Sequence, residues 1–496
     1  MIEEAFTETA RKCPGALAVV DGDTRLTYLE LESRKNEVAR HLSEGLGVGP
    51  GDWVGVQLRN CWEYVAVFFA LARLGAVCVA LNKQWRGEEL EWCTRALNLA
   101  AVVTDGPHLK AWLELALIPS ERILPADIIR TLDFGRGLPP GPAARRFADE
   151  PAACFMTSGS TGKPRPATRS YRNLIGSVRN VARAIGHRPG MRSLCVIPFN
   201  HSNGLCNSMV LSLTHGGIAV LMPEFAPAAM AELVRRERVE VLNASPFIYT
   251  MLLESGWTAE DFSAVEVSLS SGAPMARELA LQCAGRLGLK VRQLYGTSET
   301  ATLSVGPPTD EVESGFLGKP FPFIELKLLS ADGKEAPAGV EGEVVVKSPL
   351  MMKGYLLEAE GADDVFVKGF FRTGDLGRLD EAGNLTLSGR IKHVINVAGV
   401  KVDPVEIERV LAGLSGIQDC LVRAAKDHRQ MEVIQAVIVV APGAGLSREA
   451  VVAHCRAHLA EYKIPRLIEF AESIPRDLMS KISSSWRGGG GGPPQT

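Results

Sequence analysis

Short apolar runs alternate with helix-like segments along most of the chain. The runs LAVVDG, DWVGVQL, AAVVTD and SLCVIPF have the length and composition of buried strands. After the first of them, residues 26–46 place Tyr28, Leu31, Val38 and Leu42 at roughly helical spacing. Because strands that alternate with helices form βαβ units, the pattern predicts an α/β fold with largely parallel sheets.

The longest apolar run, Tyr64 to Leu81, approaches the length of a membrane-spanning helix. Arg73 and Gly75 interrupt it, so it instead predicts a helix that ends at Gly75 and a buried strand AVCVAL. The N-terminus, MIEEAFTETARKCPG, is acidic and lacks the apolar region of a signal peptide. We therefore expect neither a membrane span nor a secretory signal.

The pattern changes in the second half of the chain. Residues 340–390 contain short strands with Gly and Asp turns, and DEAGN predicts a hairpin. After Arg390, helical and strand patterns alternate again. We expect a large N-terminal domain (1–389) of parallel-rich sheets flanked by helices plus a β-rich subdomain. A small C-terminal α+β domain (390–484) and a disordered tail (485–496) would follow.

Composition narrows the function classes. With 496 residues, the chain is too long for a single core. The formal net charge of −3 gives no electrostatic reason to expect nucleic acid or an anionic membrane as partner. The ten cysteines form no C-x-x-C pair and no Cys/His spacing suited to zinc. They indicate reduced thiols, which are typical of cytosolic proteins, so we expect a cytoplasmic location.

The segment FMTSGSTGKPRPATRS, residues 155–170, concentrates glycine and small hydroxyl side chains. Such a segment can bring backbone N–H groups and hydroxyls close to an anion, although a flexible surface loop has the same composition. The sequence contains no Walker A motif, no G-x-G-x-x-G after a strand and no G-x-S-x-G elbow. P-loop kinases, dehydrogenases and serine hydrolases are therefore disfavoured.

Five later motifs occur in a characteristic order: SSGAP, LYGTSET, FRTGDLG, GRIKHVINVAGVKVDPVEIE and PRDLMSKI. Together they resemble the adenylate-forming superfamily of acyl-CoA synthetases, adenylation domains and beetle luciferases, over a span from about Leu26 to Ile482. The resemblance implies that a carboxylic acid attacks the α-phosphate of ATP and releases pyrophosphate. The resulting acyl-adenylate then passes its acyl group to a thiol. ATP, Mg²⁺ and CoA would be required.

The resemblance also implies residue roles at the nucleotide. Thr161 and Glu299 would bind magnesium, Tyr295 would stack on adenine, and Asp375 and Arg390 would bind the ribose. Taken alone, Glu299 fits a solvated turn, Tyr295 a core position and Asp375 a simple turn. The implied ATP- and AMP-binding positions are Thr157, Ser158, Gly159, Ser160, Thr161, Gly162, Lys163, Gly272, Ala273, Pro274, Tyr295, Gly296, Thr297, Ser298, Asp375 and Arg390.

Catalysis of the first step is assigned by the resemblance to Lys481, which would bridge the substrate carboxylate and the α-phosphate. Lys392 occupies the hinge position, about which the mobile C-terminal domain would rotate between the two half-reactions. Gly399 would then admit the pantetheine arm of CoA.

The acyl pocket is assigned by position to His201, Ser245, Ser271 and Leu294. His201 would contact the acyl chain or gate its entry, and we count it among the catalytic candidates; a structural histidine is the alternative. The segment PFNHSNG contains no carboxylate to pair with an α-amine. We therefore expect a carboxylic acid without an α-amine, since an ammonium would be buried unpaired.

Two motifs depart from the superfamily pattern. Pro166 stands where the phosphate loop usually has glycine, and Ser480 and Ser484 replace the glycine and arginine around Lys481. Besides an acid–CoA ligase, three alternatives remain: a ligase that loads a carrier protein, a luciferase, and a degenerate paralogue that serves as a scaffold. A scaffold would need none of the five implied functional side chains: Thr161, Glu299, Asp375, Arg390 and Lys481.

Overall fold

The computed structural model describes residues 2–132, 148–158, 164–272, 275, 277–307, 315–330, 332–356, 365–390, 395–397, 399–402, 404–427, 431–472 and 474. The chain divides into two compact units. The first comprises Met1–Lys83, Glu91–Met156 and Pro166–Gly389, and the second comprises Gln84–Leu90, Thr157–Arg165 and Arg390–Thr496. Within the described ranges, no helix is long and apolar enough to cross a membrane.

The described part of the chain contains α-helices in both compact units. They are α1 (Ile2–Lys12), α2 (Tyr28–Arg40), α3 (Trp62–Leu74), α4 (Gly87–Leu97), α5 (Gly106–Leu115), α6 (Ala126–Thr131), α7 (Tyr171–Ile185), α8 (Leu211–Thr214), α9 (Pro227–Glu237), α10 (Pro246–Glu254), α11 (Arg277–Leu287), α12 (Pro404–Ala412) and α13 (Arg448–His458). Two π-helical segments, His41–Gly45 and Asn203–Val210, and two 3₁₀ turns, Ser120–Arg122 and Glu461–Lys463, complete the described helical structure.

The strands range from two to ten residues in length. They are β1 (Leu17–Asp21), β2 (Thr24–Thr27), β3 (Trp53–Gln57), β4 (Val77–Ala80), β5 (Ala101–Thr104), β6 (Ile123–Pro125), β7 (Pro151–Ser158), β8 (Pro164–Ser170), β9 (Arg192–Cys195), β10 (Ile218–Leu221), β11 (Val241–Ala244), β12 (Val267–Ser270), β13 (Val291–Thr297), β14 (Ala301–Val305), β15 (Phe316–Gly318), β16 (Glu325–Leu329), β17 (Gly342–Lys347), β18 (Phe366–Val367), β19 (Phe370–Leu379), β20 (Leu385–Arg390), β21 (Ile395–Val397), β22 (Val400–Val402), β23 (Ile417–Lys426), β24 (Glu432–Val440) and β25 (Leu467–Phe470).

Two sheets of the first unit are mainly parallel. One has the order β14-β13-β12-β11-β9-β10-β1-β2, in which β13 through β1 are parallel and the edge strands β2 and β14 are antiparallel. The other has the order β6-β5-β3-β4-β7-β8, with parallel pairing from β6 to β7. The α/β prediction is confirmed.

The helix predicted within the long apolar run is confirmed as α3. Its residues from Trp62 to Ala72 are buried, which explains why the run is apolar on every face. Gly75 ends the helix with a φ of 73°, a conformation that glycine adopts without strain, and β4 follows.

A third sheet of the first unit forms the predicted β-rich part. Its order is β15-β20-β19-β17-β16, with β18 paired to β19. The predicted hairpin joins β19 to β20, where Asp380 N donates to Asn384 O and Gly383 N donates to Asp380 O. This prediction is confirmed.

The second unit has its own small core. Strands β23, β24 and β25 form one sheet, and β21 and β22 form a hairpin. Apolar side chains of α12 and α13, including Ile407, Leu411 and Val451, pack with Ile434 and Ile438 of β24. This arrangement is the α+β unit expected after residue 390, whereas the domain boundaries themselves stay predictions. The predicted tail, 485–496, lies outside the described residues.

Candidate active site

Four neighbouring strands of the first sheet end beside the predicted site. In the order β13-β12-β11-β9, each strand runs parallel to the next. Their carboxyl ends lead to Glu299, Ser271, Ser245 and His201, respectively. In open α/β sheets, ligands bind outside the carboxyl ends of parallel strands. The topology therefore groups residues that are about 100 positions apart in the sequence.

Tyr295 and Asp375 are in direct contact. The Tyr295 hydroxyl donates to Asp375 Oδ2 at 2.8 Å, and both side chains are buried. Asp375 lies inside β19, and its N–H donates to the Thr373 hydroxyl at 3.0 Å. The simple turn considered for Asp375 is therefore wrong, because the T-G-D segment continues a strand. The Tyr295 ring packs in an apolar cluster with Leu303.

Glu299 is a buried carboxylate, 8% exposed, so the solvated turn considered for it is wrong. Its Oε1 accepts a hydrogen bond from the Tyr355 hydroxyl at 2.8 Å, and its backbone carbonyl accepts from Met352 N. Among the described residues, none donates a hydrogen bond to Oε2. A carboxylate oxygen that accepts from none of the described residues suits a hard divalent cation, so Glu299 is compatible with the magnesium role that the resemblance implies.

Arg169 contributes a buried positive charge near Glu299. The side chain on β8 is 1% exposed, and its Nη2 donates to Asn173 O at 3.3 Å. Nε has no hydrogen-bond partner within the described part of the chain. Burial lowers the pKa of Arg169 to about 10, and the charges of Cys206 and Glu299 oppose that shift. Arg169 thus places a buried positive charge within electrostatic reach of the Glu299 carboxylate.

The predicted pocket residues differ in their surroundings. His201 is half-buried, and the water-excluding environment of its ring lowers its pKa to about 4. The Ser245 hydroxyl caps α10 by accepting from Ile248 N. Leu294 is buried in β13, whereas Ser271 accepts a hydrogen bond from Asn203 at 2.6 Å. At neutral pH, His201 is therefore an uncharged side chain.

The predicted nucleotide positions next to Glu299 form a compact turn. Thr297 N donates to Thr300 Oγ1 and Thr300 N donates to Thr297 Oγ1, at 3.0 and 3.2 Å. Gly296 lies in β13, and the Ser298 hydroxyl lies 3.3 Å from that of Ser202. Gly272 follows Ser271 and is exposed. This turn fixes the backbone direction at Glu299.

Part of the predicted site lies outside the described residues. At the start of the predicted phosphate loop, the Thr157 hydroxyl donates to Arg165 O at 3.1 Å. Gly399 has a φ of 89°, and its N–H donates to Asn396 Oδ1. The backbones of Ser158 and Arg390 end β7 and β20, but their side chains are not described. Outside the description are Gly159, Ser160, Thr161, Gly162, Lys163, Ala273, Pro274, Lys392, Lys481, Ser480 and Ser484.

Sequence reasoning missed several side chains that support the site. Asn60 holds the segment after β9, because its amide donates to Cys195 O and Ile197 O and accepts from Phe199 N. Asn243 sits in the buried strand β11. A polar amide inside the apolar run VEVLNAS was the available signal for Asn243. For Tyr355, the run MMKGYLL carries no local sign of the contact with Glu299.

Comparison with protein-family models gives two matches. Residues 6–356 match the AMP-binding enzyme family, and residues 406–481 match the AMP-binding enzyme C-terminal domain. The first match alone spans well over half of the chain.

Curated relatives align over nearly the whole length. The chain is 31% identical over 476 residues to a feruloyl-CoA synthase of Amycolatopsis sp., covering 95% of each protein. It is 29% identical over 490 residues to the fatty acid–acyl-carrier-protein ligase ScoC of Streptomyces coeruleorubidus, covering 95% of the chain and 92% of the relative.

A solved structure shares the fold. The o-succinylbenzoate CoA synthetase MenE of Bacillus subtilis, in a double-mutant form bound to a product analogue, superposes with a TM-score of 0.87. The alignment covers 97% of this chain and 98% of that one, at 25% identity.

Proposed function

Because the chain belongs to the adenylate-forming AMP-binding enzyme family, in which its relatives are named CoA synthetases and ligases, we propose that it is an ATP-dependent acid–CoA ligase. It would activate a carboxylic acid without an α-amine as an acyl-adenylate. The acyl group would then pass to the thiol of CoA.

The observation that carries this proposal is the meeting of the β13, β12, β11 and β9 carboxyl ends beside two buried carboxylates. Asp375 is held by the Tyr295 hydroxyl and Glu299 by the Tyr355 hydroxyl. Both carboxylates are more than nine-tenths buried, so neither orientation depends on a flexible surface side chain. A prepositioned carboxylate can accept from ribose hydroxyls, and a second one can bind the Mg²⁺ that accompanies the phosphates of a nucleotide held for attack.

Two displacements make up the proposed reaction. A carboxylate oxygen of the acid bonds to the α-phosphorus, the bond to the bridging oxygen breaks, and pyrophosphate leaves. The CoA sulfur then bonds to the acyl carbon as it loses its proton, and AMP leaves with one of the original carboxylate oxygens. Lys481 would neutralise the two negative charges that approach in the first step. Lys392 would be the hinge between the steps, with Gly399 beside the incoming pantetheine.

Magnesium bound at this site would neutralise phosphate charge during the first displacement. Among the described residues, the Glu299 carboxylate fits the role of a magnesium ligand, and the Tyr355 hydroxyl orients it. Thr161 is the second proposed ligand. The proposed adenine and ribose contacts are those of Tyr295 and Asp375.

A carrier-protein pantetheine is the second candidate acceptor, since the relative ScoC is named an acyl-carrier-protein ligase. CoA and a carrier protein present the same thiol arm, so either would meet the same groups in the second step. The choice between them affects only the acceptor and not the adenylation chemistry.

Acid-dependent exchange of labelled pyrophosphate into ATP tests the proposal. The purified protein is supplied with aliphatic, aryl and polycyclic acids, and then with CoA or with a phosphopantetheinylated carrier protein. Exchange with a subset of acids and thioester formation on CoA are expected. A lack of exchange with every acid would contradict the function, provided that a luciferase control at the same protein concentration gives its maximal rate of pyrophosphate exchange. Exchange with thioester only on the carrier protein would favour the second candidate.

A further inference from the structure

A network of amide and hydroxyl groups occupies the carboxyl ends of β11 and β12. Asn203 Nδ2 donates to Ser271 Oγ at 2.6 Å and to Asn243 Oδ1 at 3.3 Å. Asn203 Oδ1 accepts from Asn207 Nδ2 at 2.8 Å and from Asn243 Nδ2 at 3.2 Å. The protein thus uses both donors and both lone pairs of the Asn203 amide, which fixes its orientation.

Outer hydrogen bonds hold this network in place. Asn207 also donates to Thr302 Oγ1 at 3.1 Å, and Asn243 also donates to Ser208 Oγ at 3.3 Å. Asn207, Asn243, Ser208 and Thr302 are buried, whereas Asn203 is half-buried. A connected network in a water-poor environment is rigid, because each group restrains the next. The network therefore presents a preorganised polar surface at the half-buried Asn203.

Two hydroxyl groups of the network, those of Ser208 and Ser271, donate to no acceptor among the described residues, and Ser271 is the one at the strand ends. Ser271 is 6% exposed, and its oxygen accepts from Asn203. Within the described ranges, the Ser271 hydroxyl donates its proton to no acceptor. A buried donor without an acceptor is costly, and a ligand oxygen would remove that cost. Ser271 directly precedes the exposed Gly272 and lies at the strand ends where the acid is proposed to bind.

All bonds of the network join neutral groups. A neutral polar surface suits a hydroxyl or carbonyl group, since a buried ammonium or carboxylate would need an opposite charge. An unsubstituted alkyl chain would leave the Ser271 donor unpaired.

We propose that the substrate is a carboxylic acid whose acyl part carries a hydroxyl or carbonyl oxygen, which accepts a hydrogen bond from Ser271 beside Asn203. This assignment rests on the proposed acid–CoA ligase function. It selects oxygenated acids over plain alkanoic acids of the same shape. Asn203 acts by positioning the Ser271 hydroxyl, and Asn243 and Asn207 act by positioning Asn203.

The test compares matched acids in pyrophosphate exchange. The pairs are para-hydroxycinnamate with para-methylcinnamate, and a keto acid with the branched acid in which methyl replaces the carbonyl oxygen. The wild-type protein should prefer one oxygenated acid over its methyl isostere by roughly a hundredfold in kcat/KM, because a hydrogen-bonding site discriminates strongly against a partner that leaves it unpaired. In Ser271→Ala and Asn203→Leu, the preference should fall below about tenfold.

Asn36→Leu is the matched control, because Asn36 is a half-buried asparagine of α2 outside the network. It should keep the wild-type preference. If Asn203→Leu does not fold, the smaller change Ser271→Ala decides the question. A wild-type preference for the methyl acids, or an equal loss of activity with both acids of each pair, would overturn the substrate assignment and leave the ligase function standing. Exchange with none of the acids would overturn the ligase function itself.

Discussion

Replacement of Asp375 with asparagine distinguishes a carboxylate that binds ribose from one that only stabilises the sheet. Asparagine keeps the volume of this buried side chain, 5% exposed, and removes its charge. A hydrogen bond to a charged acceptor contributes about 1 kcal/mol more than a bond to a neutral one. If two ribose hydroxyls donate to Asp375, the variant should lose about 2 kcal/mol of ATP binding, or roughly 30-fold in affinity.

Tyr295→Phe is the control for this experiment. It removes the hydroxyl that donates to Asp375 Oδ2 at 2.8 Å and keeps the aromatic ring proposed to stack on adenine. Its ATP affinity should stay within about threefold of wild type, since the carboxylate charge remains. Its urea midpoint should fall, because a buried hydrogen bond to a charged group is lost.

Isothermal titration calorimetry with ATP gives the affinities, and urea denaturation gives the midpoint of unfolding for each variant. The expected pattern is a large loss of ATP affinity for Asp375→Asn alone and a lowered midpoint for both variants. Equal ATP affinity in wild type and Asp375→Asn, together with a lowered midpoint, would show that Asp375 only supports the strand β19. That result would refute the ribose assignment.

Three further predictions follow from the same structure. Tyr355→Phe should raise the Mn²⁺ dissociation constant in the presence of ATP by roughly tenfold or more, since Glu299 loses its donor; an unchanged constant, read by electron paramagnetic resonance, would contradict this. Burial lowers the pKa of His187 to about 4 from an ordinary 6.5, so the unfolded chain takes up the proton first as the pH falls. The contribution of neutral His187 to the free energy of unfolding is therefore complete above pH 6.5 and falls by about 1.4 kcal/mol per pH unit as the pH drops toward 4. The urea midpoint should therefore fall less between pH 7.5 and 5.5 in His187→Leu than in wild type; equal falls would refute it. Lys481→Ala should lower exchange by several powers of ten yet form thioester from synthetic acyl-adenylate, whereas Lys392→Pro should do the reverse; equal loss of both half-reactions in both variants would contradict alternation.

Local sequence patterns identified the elements whose causes are local. The apolar run around α3 and the left-handed Gly75 are visible in the sequence, as are the turn residues of the β19–β20 hairpin. These features depend on neighbouring residues, so periodicity and turn chemistry suffice to predict them.

The remaining features depend on contacts between distant residues. Tyr355 reaches Glu299 across 56 positions, and Asn207 reaches Thr302 across 95. The π-helical segment Asn203–Val210 was not predicted, although it carries both Asn203 and Asn207. Such pairs arise only when distant segments assemble, here the turn after β13 with the segment after β17, and the π-helical segment with β14. No local pattern encodes that assembly.

Transfer of an isotopic label from the acid to AMP tests the central claim most directly. An acid that supports exchange is prepared with oxygen-18 in its carboxyl group and incubated with ATP, Mg²⁺ and CoA, and the AMP is analysed by mass spectrometry. Attack of the carboxylate on the α-phosphorus places one labelled oxygen in the phosphate of each AMP released with thioester. Unlabelled AMP, or the formation of ADP and phosphate in place of AMP and pyrophosphate, would contradict an acyl-adenylate intermediate.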